Sequence, residues 1–201
     1  MKLYYSPGAC SLADHVALLE GGFDFELERV DLRSKLTETG ADFLAINPKG
    51  YVPALVLDSG DIVTENIAVL DWIATQAPAL GLGGPLGRTR LLQTLAYIST
   101  EIHKGFKAIF VGASEEDRVQ AGTIVNRRLR LLAEQKAGKY LFGNEPTVAD
   151  FYLFVMLRWA VKFGIEIPDV LGTLQARMME RPAVQAAIEF EEVRAGRARS
   201  A

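Results

Sequence analysis

The chain has 201 residues, about half of them hydrophobic and about a quarter charged, with a net charge of −3; that suits one large domain or two compact ones with real cores and excludes a disordered chain. Acids and bases are interspersed, without the dense basic face that nucleic acids select, and the short run Arg194, Arg197, Arg199 reads as a frayed tail. No apolar run is long enough to span a bilayer, no leader pattern stands at the start, and a single cysteine forbids an intrachain disulfide; the expectation is a soluble, cytoplasmic protein with no nucleic-acid or membrane partner.

In chain order, residues 2–5 are a strand candidate cut off by Ser6-Pro7-Gly8. Leu12, Val16 and Leu19 recur at helical spacing over residues 11–20, and Gly21-Gly22 supplies a stop. Residues 25–32 alternate apolar and charged and read as a second strand, and 41–46 as a short helix ended by Asn47-Pro48-Lys49-Gly50. Residues 54–58 and 61–64, joined by Ser59-Gly60, read as a tight hairpin, followed by a helix with Ile67, Leu70, Ile73 and Ala74 as its buried stripe. The order β-α-β-α-β-β-α places the first two strands parallel, with an antiparallel pair at the edge.

Residues 78–85 are poor in charge and rich in Gly and Pro, so they mark a linker between domains 1–78 and 86–201. Beyond it only helical patterns occur: one from Arg88 to about Phe110 closed by Gly112, one from Ser114 to about Gly138 with a capped acidic first turn, and one after Thr147-Val148-Ala149-Asp150, which has the form of a capping box. Pro168-Asp169 and Arg181-Pro182 open two shorter helices.

Three features carry chemistry. Cys10 follows a strand and a turn and sits at the entry of a helix, whose amides and dipole lower a thiol pKa; a reactive thiol and a small buried hydrophobe both fit that position. With no second cysteine, redox chemistry there is monothiol, through a mixed disulfide with a small thiol. Val52-Pro53 lies between a turn and an edge strand; a cis bond there presents the Val52 backbone to an extended peptide, and a trans strand-start proline is the plain alternative. Glu65-Asn66 opens the helix after the hairpin, either as a simple cap or as a holder of the ammonium and carboxylate of an amino acid. Two histidines, His15 and His103, are too few for a metal site, and no metal is expected.

The opening Met1-Lys-Leu-Tyr-Tyr-Ser-Pro-Gly-Ala-Cys10-Ser-Leu resembles that of the bacterial beta class of glutathione S-transferases. So do Asp31 to Lys35, Phe43 to Leu55 through Pro53, Thr64-Glu65, Glu101 to Phe106, and Thr147 to Phe154, in order along essentially the whole chain. The resemblance implies a thioredoxin-like α/β N-terminal domain, an all-α helical-bundle C-terminal domain, a homodimer, and glutathione as co-substrate for the detoxifying conjugation of small hydrophobic electrophiles. Carried over, it implies that Cys10 meets the glutathione sulfur, the Val52 backbone before cis-Pro53 pairs with the cysteinyl unit, Glu65 and Asn66 hold the γ-glutamyl end, and Lys35 the glycyl carboxylate. Thr100, His103 and Lys104 fall at the glutathione site, with Cys10, His103 and Ser11 as catalytic candidates. Tyr5, Phe106, Phe110 and Trp159 are the candidates for the electrophile pocket. This chain departs from the pattern at Ala96, where many relatives carry Asn, at Asn66 in place of Ser or Gly, and at Lys162 in place of His. Thiol–disulfide exchange through Cys10 is a second activity of the same site; a non-catalytic, ligandin-like carrier of apolar molecules is the alternative.

Overall fold

The computed structural model describes residues 1–111 and 114–199, with side chains through Arg194. Gly112, expected to close a helix, lies outside them, as do the side chains of Arg197 and Arg199. The chain divides into two compact units: Met1–Leu80 together with the chain from Glu180 on, and Gly81–Met179.

The first unit is built on a four-stranded sheet, β1 (Lys2–Tyr5), β2 (Glu26–Arg29), β3 (Ala54–Val56) and β4 (Ile62–Thr64), in the order β2-β1-β3-β4. β1 runs parallel to β2 and antiparallel to β3, and β4 closes the antiparallel edge, as the strand pattern requires. Lys2 ties the β1–β2 pair by reaching Glu28 and Glu26 across the ladder at 3.1 and 3.4 Å. Helix α1 (Leu12–Glu20) is buried from Leu12 to Leu18, and α2 (Asn66–Gln76) packs against it. One sheet face covers Tyr4, Val30, Phe43, Val52 and Ala54. Residues 43–45 form only a single tight helical turn, with the Asp42 carboxylate capping the Leu44 amide.

The last helix, α8 (Pro182–Arg199), belongs to this unit, whereas its place in the sequence groups it with the second. The reason is polar as much as apolar. Arg181 forks onto Glu20 of α1 at 2.5 and 2.8 Å, Glu191 reaches His15, and Arg194 reaches Glu38 at 2.7 Å. The basic stretch expected as a frayed tail is the end of this helix.

In the second unit, the long helix expected over residues 88–110 is one continuous run whose pitch changes: α3 (Gly87–Tyr97), a wide π turn Ile98–His103, a tight turn Lys104–Phe106, and α4 (Lys107–Phe110). Gly87 can open it because a Cβ there would lie 1.9 Å from the Leu82 carbonyl oxygen. α5 (Glu115–Glu134) starts on the Ser114–Asp117 capping box and buries the stripe Ala121, Val125, Leu129, Leu132. α6 (Val148–Lys162) is buried on nearly all sides and is the centre of the unit, with α7 (Asp169–Met179) packed on it. No helix of the described residues is long and apolar enough to cross a membrane.

Candidate active site

Three side chains from separate parts of the first unit converge on the stretch Gly50–Val52. The Lys35 ammonium donates to the Gly50 carbonyl at 2.6 Å, the Tyr51 hydroxyl donates to Glu65 Oε1 at 3.1 Å, and the Cys10 thiol donates to the Val52 carbonyl at 3.5 Å. The Val52–Pro53 bond is cis. Gly50 has a φ of 70°, in the left-handed region, and a Cβ there would crowd Leu44 Cδ2 at 3.1 Å. Lys35 and Glu65 themselves have positive φ (62° and 75°), a costly backbone for residues with side chains that persists where surrounding structure enforces it. Glu65 is exposed and also bonded to the Lys49 ammonium.

Burial works against the thiolate that a helix entry favours. The Cys10 pKa is pushed up to about 12, first by burial and then by the buried carboxyl of Asp14, with Glu65 adding to the rise. The amides of Cys10 and Ser11 do favour the thiolate, as the position at the head of α1 implies, but they are outweighed. The group is an S–H donor, and the Val52 carbonyl oxygen accepts its hydrogen bond.

The other hydroxyls near the head of α1 are less available. Ser11 is fully buried, receives the Ser6 amide at 3.3 Å, and makes no side-chain cap on α1. Tyr5, expected on the electrophile pocket, is completely buried with its ring against His15 and Phe190; burial pushes its phenol up to about 12, and it lines no open surface. Asn66 caps nothing with its side chain, which is buried with both polar atoms unbonded.

The second unit assembles the remaining candidates. His103, at the end of the π turn, bonds through Nδ1 to the Tyr152 hydroxyl at 2.7 Å and meets the Trp159 ring at 5.0 Å. Burial, then the neighbouring Lys104 charge, lowers its pKa to about 4, so the imidazole is neutral. Trp159 packs edge-on against Phe106 and Phe110 at 5.5 and 4.8 Å; Phe106 is fully buried, whereas Phe110 is half exposed. Thr100 is exposed and donates back to the Ala96 carbonyl at 3.0 Å. Lys104 lines a groove of about 570 Å³ together with Lys107, Val111, Ile124 and Arg128.

Sequence reasoning missed Asp14, Glu191, Tyr152 and the Lys49–Tyr51 pair that grips Glu65. Tyr152 follows the helical pattern of α6 and so reads as core. Glu191 binds the Gly8 amide at 2.8 Å across 183 positions of sequence, a contact with no local signature.

Residues 9–76 match the family described as glutathione S-transferase, N-terminal domain, and residues 67–189 its C-terminal domain. Glutathione S-transferase GstA of Escherichia coli O157:H7 is 42% identical over 198 residues, covering 95% of this chain and 98% of that protein. Among solved structures, a sphingomonad glutathione S-transferase complexed with glutathione matches with a TM-score of 0.90 at 47% identity, over 96% of this chain and 99% of the other. The bacterial beta-class enzyme of Sphingomonas chungbukensis matches with a TM-score of 0.89 at 45% identity, over 95% and 98%. The chain carrying this thiol, its neighbouring backbone edge and the aromatic cluster of α6 therefore belongs to the glutathione S-transferase family, in the bacterial beta class.

Proposed function

We propose that this protein conjugates reduced glutathione to small hydrophobic electrophiles, with the tripeptide laid along Gly50–Val52. The observation that carries the reading is the convergence itself: a cation, a thiol and a carboxylate touch three consecutive residues, a stretch of about 10 Å in extended chain. Glutathione is a tripeptide with a carboxylate at each end, one ammonium and one thiol. Lys35 pairs with the glycyl carboxylate, the Val52 backbone with the cysteinyl unit, and Glu65 with the first-turn amides of α2 at Asn66 takes the γ-glutamyl end.

Cys10 turns its S–H from the Val52 carbonyl to the incoming sulfur and stabilises it as a thiolate by hydrogen bonding. The glutathione sulfur forms the new C–S bond, the leaving group departs with its electron pair, and the thiol proton passes to solvent. Thiol–disulfide exchange, through a mixed disulfide between Cys10 and glutathione, is the second activity of the same site. The neutral His103 serves as a hydrogen-bonding group, and Trp159 with Phe110 offers the apolar wall for an electrophile. The beta-class likeness carries the further reading of a cytoplasmic homodimer.

The test is retention on immobilised glutathione followed by turnover of an aryl halide. The wild type is expected to bind and turn over. Cys10→Ala is expected to stay bound, lose the mixed disulfide, and lose about ten- to a hundredfold in conjugation, the worth of one hydrogen bond to a charged sulfur. Retention with no turnover of any electrophile makes the protein a carrier; no retention ends the glutathione reading.

A further inference from the structure

Asp14 stands one helical turn beyond Cys10, in the first turn of α1, and is completely buried. Neither of its carboxylate oxygens has a hydrogen-bond partner. No cation among the described residues pairs with it. α8, packed on α1, brings Glu191, which is engaged by His15 at 3.2 Å and by the Gly8 amide, and Arg194, which holds Glu38; the Glu20–Arg181 pair closes the far end of α1. α2, the other helix on α1, brings Asp71 and opens with the exposed Glu65 and the buried, unbonded amide of Asn66. β1 contributes the fully buried Tyr5 phenol. Among the described residues, no charged group acts appreciably on Asp14; only burial and its own backbone amide do.

A lone carboxylate in such a place is far more costly than the neutral acid, because burial penalises charge that nothing balances. Its ordinary acidity is lost: burial lifts Asp14 well above the usual carboxylate range, opposed only by its own backbone amide. The same carboxyl is the strongest charge acting on the Cys10 thiol. Two acids in one buried site cannot both ionise easily, and the one with the lower intrinsic pKa gives up its proton first.

We propose that Asp14, a buried and unpartnered carboxyl one helical turn beyond the thiol, is a positioning residue for Cys10, so that the site admits one negative charge at a time. At neutral pH that single charge is the substrate's thiolate. When Asp14 ionises, its charge holds the cysteine as S–H and repels the glutathione sulfur. This role deepens the glutathione reading and rests on it, but the chemistry of Asp14 with Cys10 can be measured without the tripeptide.

The chain has one cysteine, so the pH dependence of its alkylation by iodoacetamide, followed by mass without glutathione, reports Cys10 alone. Asp14→Asn is expected to react about tenfold faster than the wild type at pH 10, with its alkylation midpoint moved down by about one unit. In the conjugation assay the wild type is expected to show an alkaline fall of kcat/KM that the variant lacks. The infrared spectrum of the wild type at pH 7 should contain a buried carboxylic-acid carbonyl stretch that Asp14→Asn lacks. Superimposable alkylation profiles would overturn the proposal, and so would a wild-type spectrum with no protonated carboxyl, a result that needs no folded variant. An enzyme that behaves as expected in alkylation but does not bind glutathione would instead sink the functional reading and leave Asp14 as assigned.

Discussion

At the scale of single residues, one physical effect acts on two groups with opposite results. Burial disfavours charge, so it pushes the Cys10 thiol up to about 12 and the His103 imidazole down to about 4, and both stay neutral at physiological pH. For His103 the linkage has a definite sign. In the unfolded chain it takes a proton near 6.5, in the folded protein only near 4, so the unfolded state binds more protons between those values. Its contribution to stability is complete above pH 6.5 and is lost as the pH falls towards 4. The chain has only two histidines, which makes the carbon and proton signals of the ring straightforward to assign by substitution. The expected spectrum shows no titration of His103 between pH 8 and 5. A midpoint near 6.5 would mean that the ring is solvated rather than packed between Tyr152 and Trp159. On the activity side, kcat/KM should carry no inflection from His103 between pH 6 and 8.

At the scale of elements, the start of α6 shows how much a single short side chain can hold. Asp150 is fully buried and accepts from the Thr147 amide at 2.8 Å, the Thr147 hydroxyl at 2.9 Å and the Leu141 amide at 2.8 Å. It therefore caps the helix and also pins the loop nine residues earlier. Burial raises its pKa to about 6 against those bonds, which favour the carboxylate, so at pH 7.5 it is ionised and fully bonded. Asp150→Ala strands buried donors in a helix that is the centre of its unit. The expected loss is about 2–4 kcal/mol in urea unfolding with an unchanged m-value. Asp150→Asn, which keeps an acceptor, should lose about half as much, and an alanine variant within about 0.5 kcal/mol of wild type would show that the helix stands without this residue. This capping box was legible, because Thr147-Val148-Ala149-Asp150 directly precedes an apolar run. The π turn at Ile98–His103 was not. Residues 88–104 contain no Gly or Pro to break a uniform helical pattern, and Ile98 and Ile102, buried in the wide turn, read in sequence as ordinary core positions.

At the scale of the whole molecule, local patterns reveal elements whereas long-range partners decide which unit an element joins. The strand order and hairpin followed from alternation and turn residues, and Cys10, Val52 and Glu65 stood out from their positions beside those turns, whereas Lys35 came only from the family resemblance. The environment of Cys10 was beyond reach: whether amides or burial win depends on what covers the thiol, and Asp14 looks in sequence like an ordinary acid in the first turn of a helix. α8 is the plainest case. Its pattern says only that it is a helix, yet Glu191 holds the Gly8 amide in the loop that carries Cys10, His15 holds Glu191, and Phe190 covers His15 at 5.7 Å. The first unit is thus discontinuous, made of residues 1–80 and a helix more than a hundred positions away. A fragment of residues 1–80 lacks the cover of α1 and the anchor of its cysteine loop, so removal of α8 exposes the apolar face of α1 and leaves His15 and the Gly8 amide without their partner. That fragment is expected to show no cooperative thermal transition by circular dichroism and to bind no immobilised glutathione. The same residues joined by a flexible linker to 180–201 should regain a cooperative transition. A sharp melt from 1–80 alone would show that the sheet and its two helices suffice, and that the last helix is an addition to the thiol site rather than part of what holds it.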